Sequence, residues 1–333
     1  MSQFFTGKTV LITGGTGSLG NQLVERILPQ GPKRLIIFSR DELKQHDMRQ
    51  RWSDDAGSVI RYFIGDVRDK ERLLRAFVDV DIVIHAAALK QIGSCEYSPF
   101  ECIKTNILGT QNVVEAAIDR CVDRVLMIST DKAVAPTNTY GCSKALAERM
   151  VIQGNSYAGG HGTKLSVCRY GNVVGSRGSV VPVFRKQAVM GRITITDPRM
   201  TRFWLTLSQA FDLVQYSLEH MRGGEVFVPK IQSMKVTDLA TSIAPGVPLV
   251  ITGIRPGEKL HESLLADDEV SRTLDDGTVY VVQPQHPWWT VEAGTGNPLP
   301  DGFHYSSDVN DLWLTVQDLR GLLSVAPMTV GIG

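Results

Sequence analysis

Near its start the chain reads KTVLITGGTGSLG, residues 8–20, where a short apolar run enters a glycine-rich loop followed by a helical pattern. Residues 8–13 are rich in β-branched side chains, as buried parallel strands are. Gly15, Gly17 and Gly20 fit G-x-G-x-x-G, a pattern that lets backbone approach a pyrophosphate at the start of a helix. We therefore predict a dinucleotide-binding loop, with contacts from Gly14, Thr16, Gly17, Ser18, Leu19 and Gly20.

Further apolar runs follow, and helical patterns separate them. We predict strands over residues 34–38, 58–64, 81–85, 125–128 and 164–170, and a long helix over 99–117. Strands that alternate with helices imply right-handed crossovers and a doubly wound parallel sheet of the α/β Rossmann class. Such sheets bind ligands at the carboxyl ends of their strands.

The end of the second strand carries the residues that choose between NAD and NADP, Ser39, Arg40 and Asp41. A carboxylate would accept a hydrogen bond from the 2′-hydroxyl of NAD, whereas Arg40 would pair with the 2′-phosphate of NADP. Lys44 comes one helical turn later and adds positive charge, although a solvated helix face would also explain it. We favour NADP as the cofactor.

The next strand ends supply the other predicted cofactor contacts. Asp66, with Val67 beside it, follows the third strand, where its carboxylate would accept from the adenine amino group. Ala86 and Ala87 follow the fourth strand, and their small side chains would let the cofactor lie against the backbone. His85, at the end of that strand, is expected to be a packing residue.

Two polar residues beyond the fourth strand are predicted to face the same region. Lys90 follows the alanines and is expected at the active site, as a contact of both cofactor and substrate. Asn106 lies on the predicted helix 99–117, where a buried amide would bridge the backbone and a catalytic lysine through water.

The stretch STDKAVAPTNTYGCSK, residues 129–144, carries the candidate chemistry. Tyr140 and Lys144 are four residues apart, so on a helix they share one face. An ammonium group beside a phenol lowers the pKa of the phenol, and the phenolate takes a proton from an alcohol while a hydride leaves the same carbon. The alternative is a tyrosine and a lysine that merely share an exposed helix face. Against that alternative, the predicted strand ends with their ligand residues all lie at the same edge of the sheet as this stretch. The same stretch contains three further catalytic candidates, Thr130, Asp131 and Lys132.

Later stretches offer groups for a nucleotide-sugar substrate. The candidates are Asn172 and Arg177 in GNVVGSRG, Arg202 in PRMTRFW, and Arg255 and Glu258 in RPGEK, together with Lys90 and Thr130. Arginines suit a pyrophosphate because they present paired donors, although each one alone is equally compatible with surface charge.

The strict alternation of strands and helices loosens after the sixth strand. We predict a cofactor-binding domain over residues 1–172, with part of 205–232 returning to it. The remainder, 173–333, is predicted to bind substrate, mainly through 173–204 and 233–333. Residues 283–300, which include Trp288 and Trp289, are expected to form a loop or a partner surface.

Composition limits the class of protein. Lys and Arg number 35, as do Asp and Glu, so the zero net charge gives no sign of a nucleic-acid partner. No apolar run approaches the ~18 residues that a membrane helix needs. The five cysteines contain no C-x-x-C pair, which favours reduced thiols over a disulfide frame or a metal site. We expect a cytoplasmic enzyme without a metal, a nucleic-acid partner or a membrane partner.

With these motifs, the sequence resembles the extended short-chain dehydrogenase/reductase superfamily and, within it, the inverting UDP-N-acetylglucosamine 4,6-dehydratases of bacterial surface-glycan synthesis. The similarity runs from the first strand to about His261 and continues more loosely beyond it. One departure is Gly93, where these proteins usually have proline. The resemblance is carried by the stretches ITGGTGSLG, SRDELKQ, YFIGDVRDKERL, STDKAVAPTNTYGCSK, RYGNVVGSRGSVVP, DPRMTRFW and GIRPGEKLHE.

The resemblance implies a mechanism. Tyr140 takes the proton of the sugar 4-hydroxyl while a hydride passes to NADP, and Lys132 removes the proton on carbon 5. Lys132 must be neutral for this, and Lys144 and the oxidised nicotinamide are expected to lower its pKa. Asp131 protonates the departing 6-hydroxyl. This step requires a protonated carboxyl group, whereas the positive charge of an adjacent lysine favours the ionised form.

Two other functions stay open at this point, a UDP-sugar 4-epimerase and a non-catalytic dinucleotide-binding scaffold. An epimerase needs no base for carbon 5, so Asp131 and Lys132 argue against it, and an intact Tyr140 and Lys144 argue against the scaffold. Tyr140 also favours the soluble inverting group over membrane-anchored retaining relatives, which carry methionine there. The resemblance further implies UDP-N-acetylglucosamine as substrate, nonulosonic-acid or surface-glycan synthesis as the purpose, and a homo-oligomer, expected to be a hexamer.

Overall fold

The computed structural model describes residues 3–52, 59–159, 162–175, 179–285 and 294–325. Its strands are β1 Thr9–Thr13, β2 Arg34–Ser39, β3 Ile60–Ile64, β4 Ile82–His85, β5 Arg124–Thr130, β6 Lys164–Tyr170, β7 Asn172–Val173, β8 Ile193–Ile195, β9 Thr201–Leu205, β10 Val226–Pro229, β11 Gln232–Lys235, β12 Leu249–Ile251, β13 Thr273–Asp275, β14 Val279–Val282 and β15 Asn297–Pro298.

The α-helices are α1 Ser18–Ile27, α2 Glu42–Arg51, α3 Lys70–Ala76, α4 Ile92–Tyr97, α5 Pro99–Cys102, α6 Gly109–Asp119, α7 Thr139–Ala158, α8 Val180–Val189, α9 Leu207–His220, α10 Val236–Ile243, α11 Asp267–Val270 and α12 Val316–Val325. Two 3-10 helices, Leu28–Gln30 and Asp131–Ala133, complete the set together with a π-helical stretch, Ile103–Leu108.

Ten strands of the described residues form one sheet in the order β15-β13-β14-β10-β6-β5-β4-β1-β2-β3. From β3 to β10 all neighbours are parallel, and β14, β13 and β15 add an antiparallel edge. Strands β1, β4 and β5 are apolar and buried because helices cover both faces of the sheet. The predicted doubly wound parallel sheet is confirmed, and it places the ends of β1, β2, β4 and β5 along one edge.

A second, smaller core lies apart from the large sheet. It consists of buried side chains such as Phe184, Ile193, Trp204, Leu239 and Leu319. The small sheets β11-β9-β7 and β12-β8 belong to this part of the chain, whereas β10 and β13–β15 join the large sheet. The division of the chain into a cofactor-binding and a substrate-binding domain stays a prediction.

The predicted helix over residues 99–117 is interrupted. Helix α5 passes into the π-helical stretch Ile103–Leu108 and then into α6. Such single π turns inside helices are rare and frequently occur at functional sites, and this one holds Asn106. No helix of the described residues is long and apolar enough to cross a membrane.

Candidate active site

The glycine loop touches the segment after β4. Gly14 has a φ of 66°, and a Cβ atom added there would lie 2.9 Å from Ala87 Cα and 3.1 Å from the carbonyl carbon of Ala86. At Gly20 an added Cβ would overlap the carbonyl group of Gly15, so helix α1 starts directly against the loop. A compact cradle of this kind fits a pyrophosphate at the start of α1.

Charged residues cluster beyond the ends of β2 and β3. Arg40 Nη1 lies 3.5 Å from Asp66 Oδ2, and Lys44 Nζ lies 2.5 Å from Asp41 Oδ2. Hydrogen bonds from Lys44 hold the pKa of Asp41 below its usual value. Burial raises the pKa of Asp66, but Arg68, which donates to it from Nε at 2.9 Å and Nη2 at 2.7 Å, outweighs burial and lowers that pKa. Since Asp41 is engaged by Lys44, Arg40 is the more available group for a ribose or its phosphate.

Two predicted cofactor contacts are held by their neighbours. Ser39 is buried, and its Oγ accepts from Gln45 Nε2 at 3.2 Å. Val67 is buried too, and its carbonyl oxygen accepts from Asn112 Nδ2 at 3.0 Å. Both therefore shape the edge of the sheet, and their contact with a cofactor stays a prediction.

Asn106 fixes the loop after β4. Its Oδ1 accepts from Leu89 N at 2.8 Å, while its Nδ2 donates to Leu89 O at 2.9 Å and to Ser143 Oγ at 2.9 Å. The amide thus holds the backbone of Leu89 through two hydrogen bonds, and its water-mediated bridge to a catalytic lysine stays a prediction. Lys90, the next residue, is exposed at this edge.

His85 behaves as the packing residue that the sequence indicated. It is buried, with Nδ1 2.7 Å from Thr13 Oγ1 and Nε2 3.0 Å from Thr110 Oγ1. Burial, reinforced by the Lys144 cation, lowers the pKa of His85 to about 3. A neutral imidazole here joins β1, β4 and α6.

Thr130, Asp131 and Lys132 form a hydrogen-bonded group where β5 ends. Thr130 Oγ1 donates to Asp131 Oδ1 at 2.9 Å, and Lys132 Nζ donates to the same oxygen at 3.0 Å. Asp131 is fully buried, and its Oδ2 has no hydrogen-bond partner among the described residues. Asp131 Oδ2 is therefore available to form a hydrogen bond with a substrate hydroxyl.

Lys132 lies between two carboxylates. Besides Asp131, Glu262 Oε1 is 3.4 Å from Lys132 Nζ. Burial lowers the pKa of Lys132, but Asp131 and Glu262 outweigh burial and raise that pKa above its usual value. The expectation that Lys144 lowers the pKa of this lysine is therefore wrong for the free protein, in which the two carboxylates outweigh burial and the Arg202 cation. The effect of the oxidised nicotinamide stays a prediction.

Tyr140 and Lys144 project from the first turns of α7. Burial raises the pKa of Tyr140 to about 12, although the Lys132 cation and a hydrogen bond with Thr130 act in the opposite direction. Burial lowers the pKa of Lys144 to about 8, against the opposing Glu148 carboxylate, and Lys144 Nζ donates to Ile128 O at 2.8 Å. The prediction of a lowered phenol pKa is therefore wrong for the free protein, because burial outweighs the Lys132 cation. The action of Lys144 on the phenol during the reaction stays a prediction.

The start of α7 is fitted closely against the catalytic loop. Asn138 caps the helix, accepting from Gly141 N at 2.8 Å. A Cβ atom added at Gly141 would overlap the carbonyl oxygen of Lys132 and lie 3.1 Å from Pro136 Cβ. Ala135 has a φ of 41°, a strained conformation for a residue with a side chain. We expect this fit to determine how far Tyr140 lies from Lys132.

The predicted substrate residues differ in how far they are free to bind. Arg202 donates through Nη1 and Nη2 to the carbonyl oxygens of Thr201 at 2.7 Å, Leu260 at 2.9 Å and Lys259 at 3.1 Å. Its guanidinium therefore ties β9 to the segment before Glu262, and a substrate role for it stays a prediction.

Other predicted substrate contacts have fewer partners. Asn172 and Arg255 are exposed, and Arg255 N is 3.2 Å from Glu258 Oε2. Arg177, Trp288 and Trp289 lie outside the described residues. These roles too stay predictions.

The family model for "Polysaccharide biosynthesis protein" matches residues 10–284. The chain belongs to this family. The polysaccharide biosynthesis family lies within the extended short-chain dehydrogenase/reductase superfamily, as the glycine loop and the Tyr140–Lys144 spacing indicated.

Relatives with known names cover nearly the whole chain. It is 46% identical over 331 residues to the UDP-N-acetylglucosamine 4,6-dehydratase (inverting) of Campylobacter jejuni, covering 96% of this chain and 98% of that protein. It is 44% identical over 285 residues to the UDP-glucose 4-epimerase of Rickettsia prowazekii, covering 83% of each. The X-ray structure of Pen from Bacillus thuringiensis superposes with a TM-score of 0.88 at 35% identity, covering 96% of this chain and 99% of that one.

Three residues of this site were missed by the sequence reasoning. Arg68 stands two residues after Asp66, close enough to be considered as its partner. Gly141 follows Tyr140, but only the packing against Lys132 shows why glycine is needed there. Glu262 closes the stretch GIRPGEKLHE and gives no local sign of its contact with Lys132.

Proposed function

We propose that this member of the polysaccharide biosynthesis family is an NADP-dependent inverting 4,6-dehydratase of UDP-N-acetylglucosamine. Its product would be UDP-2-acetamido-2,6-dideoxy-β-L-arabino-hexos-4-ulose. The observation that carries the proposal is the ion pair between buried Asp131 and half-buried Lys132, whose charge acts on Tyr140. The pair offers an acid and a base in addition to the groups that oxidation at carbon 4 needs. The Campylobacter relative, which bears the name of this activity, supports it.

The residues present fit a nicotinamide dinucleotide. The cradle at Gly14 and Ala87 would hold the pyrophosphate, and Arg40 would hold the 2′-phosphate of NADP. The chemistry that NADP supplies when bound is acceptance of a hydride from carbon 4 and its return at carbon 6. NADP, rather than NAD, is our proposal because Asp41 is already paired with Lys44.

The ion pair of Lys132 and Asp131 accounts for the acid and the base together. Transfer of one proton over the 3.0 Å between Lys132 Nζ and Asp131 Oδ1 leaves an amine and a carboxylic acid at unchanged total charge. This transfer is unfavourable in the free protein, where two carboxylates raise the pKa of Lys132. A bound substrate that excludes water would favour it, because burial penalises the charged form of both groups. In this proposal a protonated Asp131 and a neutral Lys132 arise from the same proton transfer.

The proton balance then closes within the site. Burial raises the pKa of Tyr140 in the free protein, and the cation of oxidised NADP would lower it in the complex. Tyr140, as phenolate, then takes the 4-hydroxyl proton, Lys132 takes the carbon-5 proton, and Asp131 gives its proton to the departing 6-hydroxyl, which leaves as water. Tyr140 returns a proton to carbon 5 from the opposite face. Lys132 is then an ammonium, Asp131 a carboxylate and Tyr140 a phenolate, as at the start.

The second candidate is a UDP-sugar 4-epimerase, and the Rickettsia relative with that name favours it. An epimerase uses Tyr140 and the cofactor but needs neither an acid for the 6-hydroxyl nor a base for carbon 5. The two functions differ in the mass of their products, because a 4-epimer retains the water that a dehydratase removes.

The test is incubation with UDP-N-acetylglucosamine, followed by mass spectrometry and by NMR in heavy water. We expect loss of one water, deuterium at carbon 5, none at the carbon-6 position that receives the hydride, and the L-arabino configuration. Lys132→Ala should keep cofactor binding and lose at least ~100-fold in dehydration, while Tyr140→Phe should fail before carbon-5 exchange. A product of unchanged mass would refute the dehydratase in favour of the epimerase, and a D-xylo product would refute inversion alone.

We further propose that the enzyme works in the cytoplasm, in bacterial surface-glycan or nonulosonic-acid synthesis, as a homo-oligomer, namely a hexamer. The helices before and after the site expose apolar side chains, among them Phe100, Leu108, Leu146 and Tyr157, as subunit contacts would. Light scattering at micromolar concentration tests the assembly, and a monomeric mass would overturn it.

A further inference from the structure

Glu262 is a buried carboxylate beside the proposed base. It is 3% exposed, its Oε1 lies 3.4 Å from Lys132 Nζ, and its Oε2 lies 3.7 Å from Lys259 Nζ. Oε2 has no hydrogen-bond partner among the described residues. Burying an incompletely bonded carboxylate is costly, so its place beside a reactive amine calls for a function.

The backbone around Glu262 is fixed. Glu262 N donates to Ser307 Oγ at 3.0 Å, and Ser307 N donates to Glu262 O at 2.8 Å. Lys259 lies three residues before Glu262. Its Nζ donates to Val134 O at 2.6 Å, which attaches this segment to the catalytic loop. The backbone that carries the Glu262 carboxylate is therefore tied to Ser307 and, through Lys259, to the catalytic loop.

Four groups face the Lys132 amine. Among the described residues, Asp131 from its own loop and Glu262 from the segment after Arg255 form ion pairs with it. Arg202 in β9 and Tyr140 in α7 interact with it through their charge. In the proposed reaction Asp131 holds a proton when Lys132 attacks the carbon-5 hydrogen. Glu262 is then the remaining carboxylate that faces the ammonium formed on Lys132.

We propose that Glu262 is a positioning residue, which holds the Lys132 amine towards carbon 5 and stabilises the ammonium that forms there. The arrangement repeats the logic of a serine-protease triad, in which a buried carboxylate orients a base and stabilises its cation. This inference rests on the proposed dehydratase function, since an epimerase has no carbon-5 step.

The test separates carbon-4 oxidation from carbon-5 exchange. In Glu262→Gln we expect NADP binding and the initial rate of nicotinamide reduction by UDP-N-acetylglucosamine within about 3-fold of the wild type, since Tyr140 is untouched. Deuterium uptake at carbon 5 and loss of water should fall about 10- to 100-fold, so that reduced nicotinamide accumulates. Glu262→Asp, which keeps the charge, should recover part of the exchange.

Asp267→Asn is the matched control. It removes a carboxylate close by in sequence that is exposed and lies 3.2 Å from His304 Nδ1, and we expect it to change neither step. Thermal unfolding and NADP binding of each variant report whether the fold is intact.

Each outcome decides the point. Wild-type exchange in Glu262→Gln would overturn the proposal, and so would an equal fall in oxidation and exchange, which would show a structural role only. If the Gln variant does not fold, the Asp variant serves, and equal losses in both its steps would contradict us. Failure of the wild type to release water would instead refute the dehydratase function itself, and this inference with it.

Discussion

Replacing Gly141 by alanine should move the phenol of Tyr140 away from the Lys132 amine. The added methyl group would overlap the carbonyl oxygen of Lys132 and press on Pro136 Cβ at 3.1 Å, so helix α7 or the loop must yield by roughly 1 Å. A misplacement of that size costs about 100-fold in rate. Overpacking costs about 1–3 kcal/mol, and the gain of about 0.5–1 kcal/mol from alanine in a helix offsets part of that.

We expect Gly141→Ala to lose about 1–2 kcal/mol of unfolding free energy and about 100-fold in the rate of water release. Denaturant unfolding and mass-spectrometric product formation measure the two. The control is Gly321→Ala in α12, where an added Cβ meets no atom within 4 Å, and which should keep full activity and be slightly more stable. A Gly141→Ala enzyme with wild-type rate and stability would refute the argument that close packing sets the distance between Tyr140 and Lys132.

Three further predictions concern the cofactor, the pH response and the core. Arg40→Ala should weaken NADP by roughly 1–3 kcal/mol more than NAD in equilibrium binding, and equal weakening would show that Arg40 does not contact the 2′-phosphate. Burial lowers the pKa of His85 from 6.5 to about 3. Below pH 6.5 the unfolded chain therefore binds a proton at this histidine that the folded chain does not bind. The free energy of unfolding then decreases as the pH is lowered, by at most about 1.4 kcal/mol per pH unit. His85→Gln should flatten that slope in denaturant titrations between pH 5 and 6.5, and an unchanged slope would count against a neutral buried His85. Arg169→Met should cost about 3–5 kcal/mol of unfolding free energy, because Arg169 bonds Glu148 at 2.6 Å and Glu269 at 2.7 Å in the core, and a loss below 1 kcal/mol would contradict the pairing.

The local features of this protein follow from the sequence alone. The run into Gly14 and the alternation of strands and helices predicted the order of elements, because periodicity and glycine act on neighbouring residues. The sixteen residues that end at Lys144 also placed Lys132 and Tyr140 on a loop and a helix after one strand. Because parallel strands end at one edge, that order was enough to bring the glycine loop and the catalytic stretch together.

The charge state of the site was decided by tertiary structure. Burial lowers the pKa of Lys132, but the adjacent Asp131 and the distant Glu262 together raise it, whereas Lys144 was expected to lower it. The contribution of Glu262, far along the chain, could not be seen in the sequence. Asn106 and Arg202 are predicted ligand contacts, and the fold also uses them to hold the backbone through bonds to Leu89 O and Leu260 O, which the sequence does not show. A pKa and a hydrogen-bond partner depend on which groups lie within a few ångströms after folding, and spacing along the chain does not contain that information.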